Sequence, residues 1–200
     1  DVAGEAEGRL EGEQLREECP RKDSTAATIV EISRSALELP RFLVMDRYYW
    51  TGTPHHQLYG ALLHLAELWS ATRLVVDATG VGAGLVSFLR QALGERVTPF
   101  TFTLASKSAL GWRFLGICNS GRFLDYRDDG DPLRAQFWRE AEAADYQVLA
   151  GPGQAMRWGV ADPTVHDDLL MSAALCAVLD GEARAPYAGS QIIEAIDPLQ

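Results

Sequence analysis

The sequence predicts one α/β domain with a mixed central sheet flanked by helices, and three observations carry that prediction. A β-branched stretch, STAATIVEIS from Ser24, is followed after Pro40 by a second, RFLVMDRYYW, as in an antiparallel meander. A short apolar run, Leu74-Val75-Val76 before Asp77, has the continuous hydrophobicity of a strand buried on both faces of a parallel sheet. A helical pattern and another strand, RVTPFTFTL, come next, which is the order of a right-handed crossover unit. With 200 residues the chain is long enough for one substantial core and short for two full domains. The domain is expected over residues 1–180, with a small polar tail at 181–200.

The elements follow in order. Asp1-Val2-Ala3-Gly4 reads as the end of a strand entering a turn, and residues 5–23 as an exposed polar loop. After the meander, Thr53 is placed to cap a helix with Pro54 at its first position, and Leu58, Leu62, Leu65 and Trp69 recur at helical spacing. The run Gly80-Val81-Gly82-Ala83-Gly84 turns the chain from the Asp77 strand into the helix LVSFLRQAL, which Gly94 stops. Beyond Lys107, SALGWRFLGICNSGRFLDY reads as a helix and then a strand from near Gly121. DPLRAQFWREAEAADY reads as a helix with Asp131 as its cap and Pro132 at its first position, and QVLAGPGQAMRWGVADP as loop or hairpin. HDDLLMSAALCAVLD is apolar on nearly all sides after its two aspartates, the pattern of a buried helix.

Composition narrows the function. A net charge of -10 and a pI near 4.8 argue against a protein that coats DNA by bulk charge. They leave room for a nucleic-acid enzyme whose positive charge is confined to one face. Only Lys22 and Lys107 are lysines, so the positive charge is nearly all arginine. Between Lys107 and Arg139 six basic residues stand against four acidic ones, among Trp112, Phe123, Tyr126 and Trp138. Such a segment either tracks a phosphate backbone or simply shows Arg134 and Arg139 to solvent while Phe137 and Trp138 pack. No apolar run is long enough to span a membrane and the opening is neither basic nor apolar, so neither a membrane span nor a signal peptide is predicted. A chain opening on Asp1 rather than Met is expected to be a piece of a longer protein.

Cys19, Cys118 and Cys176 are odd in number and widely spaced, which argues against a disulfide framework or a zinc site and fits a reducing compartment. The third glycine of Gly80-x-Gly82-x-Gly84 comes too early for a dinucleotide fingerprint, and the next strand ends without an acidic residue for a ribose. His55, His56 and His64 share a predicted helix with no carboxylate or cysteine at ligand spacing, so they are expected in solvent.

The carboxylates carry the chemistry. Asp1, Asp77 and the pair Asp167-Asp168 each lie at the end of a buried-looking element. Asp77 ends a parallel-type strand, and ligands of open α/β sheets bind at the carboxyl ends of strands. Carboxylates gathered there repel one another unless a cation lies between them, and oxygen ligands suit Mg²⁺ or Mn²⁺. Two such ions are what in-line phosphodiester hydrolysis uses. The bland alternatives are an Asp77 that bonds its own turn and a pair, Asp167-Asp168, that complements a helix dipole.

These residues, in this order, resemble the nuclease domain of the large terminase subunit, the DNA-packaging motor protein of tailed phages. The matching segments are Asp1-Val2-Ala3-Gly4, Val75-Val76-Asp77-Ala78-Thr79-Gly80-Val81-Gly82 and His166-Asp167-Asp168 leading into Leu169 to Ala177. Weaker support comes from Ser106-Lys107-Ser108 and the strand start Gly121-Arg122-Phe123. The resemblance spans Asp1 to about Leu179 and implies an RNase H-like fold. It implies a two-metal Mg²⁺ or Mn²⁺ endonuclease that cuts concatemeric double-stranded phage DNA in the cytoplasm of the infected bacterial host. Asp1, Asp77 and Asp168 would be the metal ligands, with Asp77 the bridge and Asp167 catalytic in support. Lys107, Arg113 and Arg122 would contact DNA. The implied partners are a terminase ATPase domain, a small terminase subunit and the portal protein. No G-x-x-x-x-G-K-[ST] sequence occurs, so the ATPase domain is not in this chain. The alternatives are a junction-resolvase-like nuclease of the same fold, and a non-catalytic docking module of the motor.

Overall fold

A computed structural model describes residues 24–33, 39–80, 82–127, 130–151, 153–162 and 164–181. Asp1, the loop at 5–23 and the tail from 182 onward lie outside the described residues.

Strands β1 (Ser24–Ser33) and β2 (Arg41–Thr51) form the expected antiparallel pair. The register shifts between Ile29 and Val30, which pair with Asp46 and Val44, so Met45 bulges out of the ladder. A bulge inserts one residue and reverses the inward and outward phase beyond it. Phe42 and Val44 are buried before it, and Arg47 is buried after it. A short strand, β5 (Phe123–Leu124), joins the other edge of β2 in parallel.

Helix α1 (His55–Leu68) begins one residue later than the sequence suggests: Pro54, not Thr53, is the cap residue, and no side chain caps it. A proline has no N–H to donate, so its carbonyl starts the helix, accepting from Gln57 and Leu58. His55, His56 and His64 are exposed as expected. Strand β3 (Leu74–Asp77), helix α2 (Gly82–Leu93) and strand β4 (Val97–Phe100) make the parallel crossover unit. β4 is shorter than the run RVTPFTFTL because its partner ends at Asp77. The last cross-strand bond runs from Ala78 N to Phe100 O at 2.8 Å, and the Phe102 amide turns to the Thr79 hydroxyl at 2.9 Å.

Helix α3 (Leu104–Asn119) starts a turn earlier than expected, in a capping box where Thr103 accepts from Ser106 N and the Ser106 side chain receives Thr103 N. Lys107 therefore sits inside its first turns. Helix α4 (Pro132–Ala143) is capped by Asp131, which accepts from Leu133 and Arg134, as the sequence indicates. The Gly-Pro stretch is a hairpin of β6 (Ala144–Val148) and β7 (Met156–Val160). Helix α5 (Asp168–Ala174) tightens into a 3₁₀ segment at Leu175–Asp180.

Two apolar clusters hold these elements. One packs Phe42 of β2, Leu110 and Ile117 of α3, Phe137 of α4 and Leu169 and Ala173 of α5. The other packs Leu58 and Leu62 of α1, Val86 and Leu89 of α2, and Val97 of β4. Among the described strands, β1 pairs only with β2 and β3 only with β4, and their remaining edges line one cavity of about 1620 Å³. That opening explains why the apolar run of β3 is half-buried rather than buried on both faces.

Candidate metal centre

The cavity gathers residues from opposite ends of the sequence: Asp77 and Thr79 after β3, Lys107 of α3, and His166, Asp167 and Asp168 at the start of α5. Each acidic group is positioned differently. Asp77 turns back on its own loop, where Oδ1 accepts from Thr79 N at 2.7 Å, and the Thr79 hydroxyl in turn holds Phe102 N. This Asx-type turn fixes one carboxylate oxygen at the carboxyl end of β3. Gly80 completes it at φ 57, a conformation that favours glycine, so the glycine run serves a tight strand-to-helix turn.

Asp168 is held from β2. The Tyr49 hydroxyl donates to its Oδ2 at 2.9 Å, and His166 Nδ1 lies 3.9 Å from the same oxygen. Burial raises the Tyr49 pKa, and the hydrogen bond to the Asp168 carboxylate raises it further, so the phenol stays a donor at neutral pH. Asp167 lines the cavity from the side of β7. Its Oδ2 lies 2.9 Å from where a Cβ on Gly159 would stand, and Lys107 Nζ lies 3.4 Å from the same point. Only a glycine at φ 134 leaves that space between β7 and the acidic turn.

Lys107 is anchored through its backbone and its ring neighbour. Its carbonyl accepts from Trp158 Nε1 at 2.7 Å, and its ammonium stands 5.7 Å from the centre of the Trp158 ring. Gly111, one turn further along α3, lets β7 approach closely: a Cβ there would come within 2.3 Å of Trp158 Nε1.

The remaining site expectations fare differently. Arg113 is exposed on α3 and does not line the cavity. Arg122 is committed elsewhere, to Asp180 at 2.6 Å and the Pro40 carbonyl at 3.1 Å. The arginine-rich segment is partly structural in the same way. Arg134 pairs with Asp125 at 3.5 Å, which also holds the buried Arg47 at 2.8 Å. Among the described residues no three His, Cys, Asp or Glu side chains are already gathered closely enough to hold a metal. The donor set fits a hard divalent cation all the same, because Asp77, Asp167 and Asp168 offer only carboxylate oxygen to one cavity. Tyr49 and Thr79 were not apparent as site residues from sequence. Nothing in a strand of alternating residues marks Tyr49, whereas Thr79, two residues after Asp77, is the position an Asx turn engages.

The fold is a mixed α/β domain with helices on its sheets, an aspartate at the end of a parallel strand and an aspartate pair opening a late helix. Solved structures similar to it include several of the large terminase nuclease from thermophilic phage G20c. Its structure with bound cobalt has a TM-score of 0.55 at 17% identity, over 76% of this chain and 81% of that one. With bound magnesium the TM-score is 0.55 at 18% identity, over 79% and 82%. A third structure of the same nuclease gives 0.53 at 17% identity, over 76% and 81%. The sequence matches no protein-family model and no curated protein. No described helix is long and apolar enough to cross a membrane.

Proposed function

We propose that this chain is a metal-dependent endonuclease domain of a phage large terminase subunit, acting on double-stranded DNA. The observation that carries the reading is the convergence of Asp77, Lys107, Asp167 and Asp168 on one cavity, although 90 residues separate the first aspartate from the second. The likeness to a nuclease solved with cobalt and with magnesium supports it.

In this reading Asp77 and Asp168 would hold two Mg²⁺ or Mn²⁺ ions, with Asp167 in support. When bound, such ions supply hydroxide at neutral pH and stabilise the leaving 3′-oxygen. The chain's own residues do the positioning. Thr79 N fixes one oxygen of Asp77 and Tyr49 fixes one oxygen of Asp168, which sets how each carboxylate lies against the cavity. Lys107 presents a cation beside the carboxylates, where it contacts a non-bridging oxygen of the scissile phosphate. Asp1 completes the ligand set. The domain would work with an ATPase domain, a small terminase subunit and a portal, in the cytoplasm of the infected host.

Nicking of supercoiled plasmid tests the reading. Wild type is expected to convert it to open-circle and linear forms with Mn²⁺ or Mg²⁺ and not in chelator, and Asp77→Asn to lose that activity by about 10²-fold or more. Nicking that survives Asp77→Asn at the wild-type rate overturns it.

A further inference from the structure

Helix α5 opens with the two aspartates that face the cavity, and Asp167 is its cap residue. An aspartate there ordinarily turns its carboxylate onto the second or third amide of the helix. Asp167 makes no such bond, and its carboxylate lies in the cavity lining beside Gly159. The orphan amide is nevertheless satisfied. Leu170, the third residue of the helix, donates to Glu140 Oε2 of α4 at 2.9 Å, while Glu140 Oε1 accepts from Gln136 Nε2 at 3.0 Å. Glu140 is 2% exposed, an unusual place for a glutamate unless its oxygens are engaged.

We propose that Glu140 is a positioning residue that caps α5 from α4 in place of Asp167, and thereby leaves both aspartates of the acidic turn directed to the cavity. The use of those aspartates rests on the nuclease reading; the capping exchange does not. It has a consequence that ordinary stabilisation of a helix end by a buried acid lacks. In wild type Asp167 does no capping, so Asp167→Ala leaves the unfolding equilibrium within about twofold. Removing Glu140 returns the orphan amide to its nearest acceptor, and Asp167 swings back to cap.

The experiment is a double-mutant cycle in urea, joined to Mn²⁺ titration with the metal alone as probe. In the Glu140→Ala background, Asp167→Ala is expected to shift the unfolding constant by about tenfold, against about twofold or less in wild type. Glu140→Gln keeps an oxygen acceptor on an isosteric side chain. It is expected to hold Leu170 amide exchange within about threefold of wild type, while Glu140→Ala speeds it by about tenfold or more. Mn²⁺ binding is expected to weaken about tenfold in Glu140→Ala and to stay within about twofold in Glu140→Gln. An Asp167→Ala effect that is the same in both backgrounds overturns the capping exchange. Coupling as expected, in a wild type that binds no Mn²⁺, overturns the nuclease reading and leaves the exchange standing.

Discussion

Replacing Gly159 by alanine tests whether the β6–β7 hairpin and the acidic turn meet at one point. Gly159 pairs with Asp145 in the hairpin and has φ 134, a conformation that L residues rarely adopt. Forcing alanine into it costs on the order of 1–3 kcal/mol. The new Cβ would stand 2.9 Å from Asp167 Oδ2, so the carboxylate must retreat by about half an ångström. That retreat is cheap, because it moves the end of a flexible side chain, and the stability loss is therefore mainly the backbone's. It falls, however, on a group proposed to support the metal. Urea unfolding should show the midpoint falling with the m-value unchanged, and Mn²⁺ titration should show weaker binding. Gly60→Ala is the contrast. Gly60 lies within α1 with nothing within 4 Å of its would-be Cβ, and alanine there should gain about 0.5–1 kcal/mol. If Gly159→Ala is as harmless as Gly60→Ala in both assays, Asp167 does not lie against β7 and the geometry of the acidic turn is wrong.

Tyr49→Phe removes the phenol that holds Asp168, and a double-mutant cycle with Asp168→Ala should give a coupling of about 1 kcal/mol in urea unfolding; simple additivity would contradict the bond. A pH series isolates Glu140. Burial, opposed by its hydrogen bonds, holds its carboxyl above the usual range, so the native state keeps the proton better than the unfolded chain does. The stability this contributes is complete below the unfolded value of about 4.3 and is lost as pH rises through the folded value. Wild-type stability should therefore decline relative to Glu140→Gln as pH rises above about 4.3, and parallel curves would contradict the assignment.

Much of the fold could be read from residues whose physics is local. The Asp131-Pro132 pair marks the start of α4, where a side-chain acceptor and a residue without an N–H meet the same need. The apolar run before Asp77 marks a strand of a parallel pair, and Gly80 marks the turn that ends it. Features set by distant partners were hidden. Strict alternation in RFLVMDRYYW would bury Asp46 and Tyr48 with Phe42 and Val44; the bulge at Met45 buries Arg47 instead and turns Tyr49 toward Asp168. The length of β4 depends on where β3 stops, not on its own β-branched residues. The site divides along the same line. Asp77, Asp167, Asp168 and Lys107 stand out by residue type and place and line one cavity, whereas Glu140 reads as one more charge on a helix until α5 is packed against it. The pairing of Arg122 was hidden for a similar reason, since its partner Asp180 lies 58 residues away.

The central claim is that the carboxylates of one cavity hold a divalent metal. Anomalous diffraction from crystals grown with Mn²⁺ tests it most directly. The account predicts Mn²⁺ bound by carboxylate oxygens of Asp77 and Asp168 in the cavity beside β1 and β3, and loss of that peak in Asp77→Asn. A cavity without Mn²⁺ at saturating concentration, or a peak unchanged by Asp77→Asn, would contradict it.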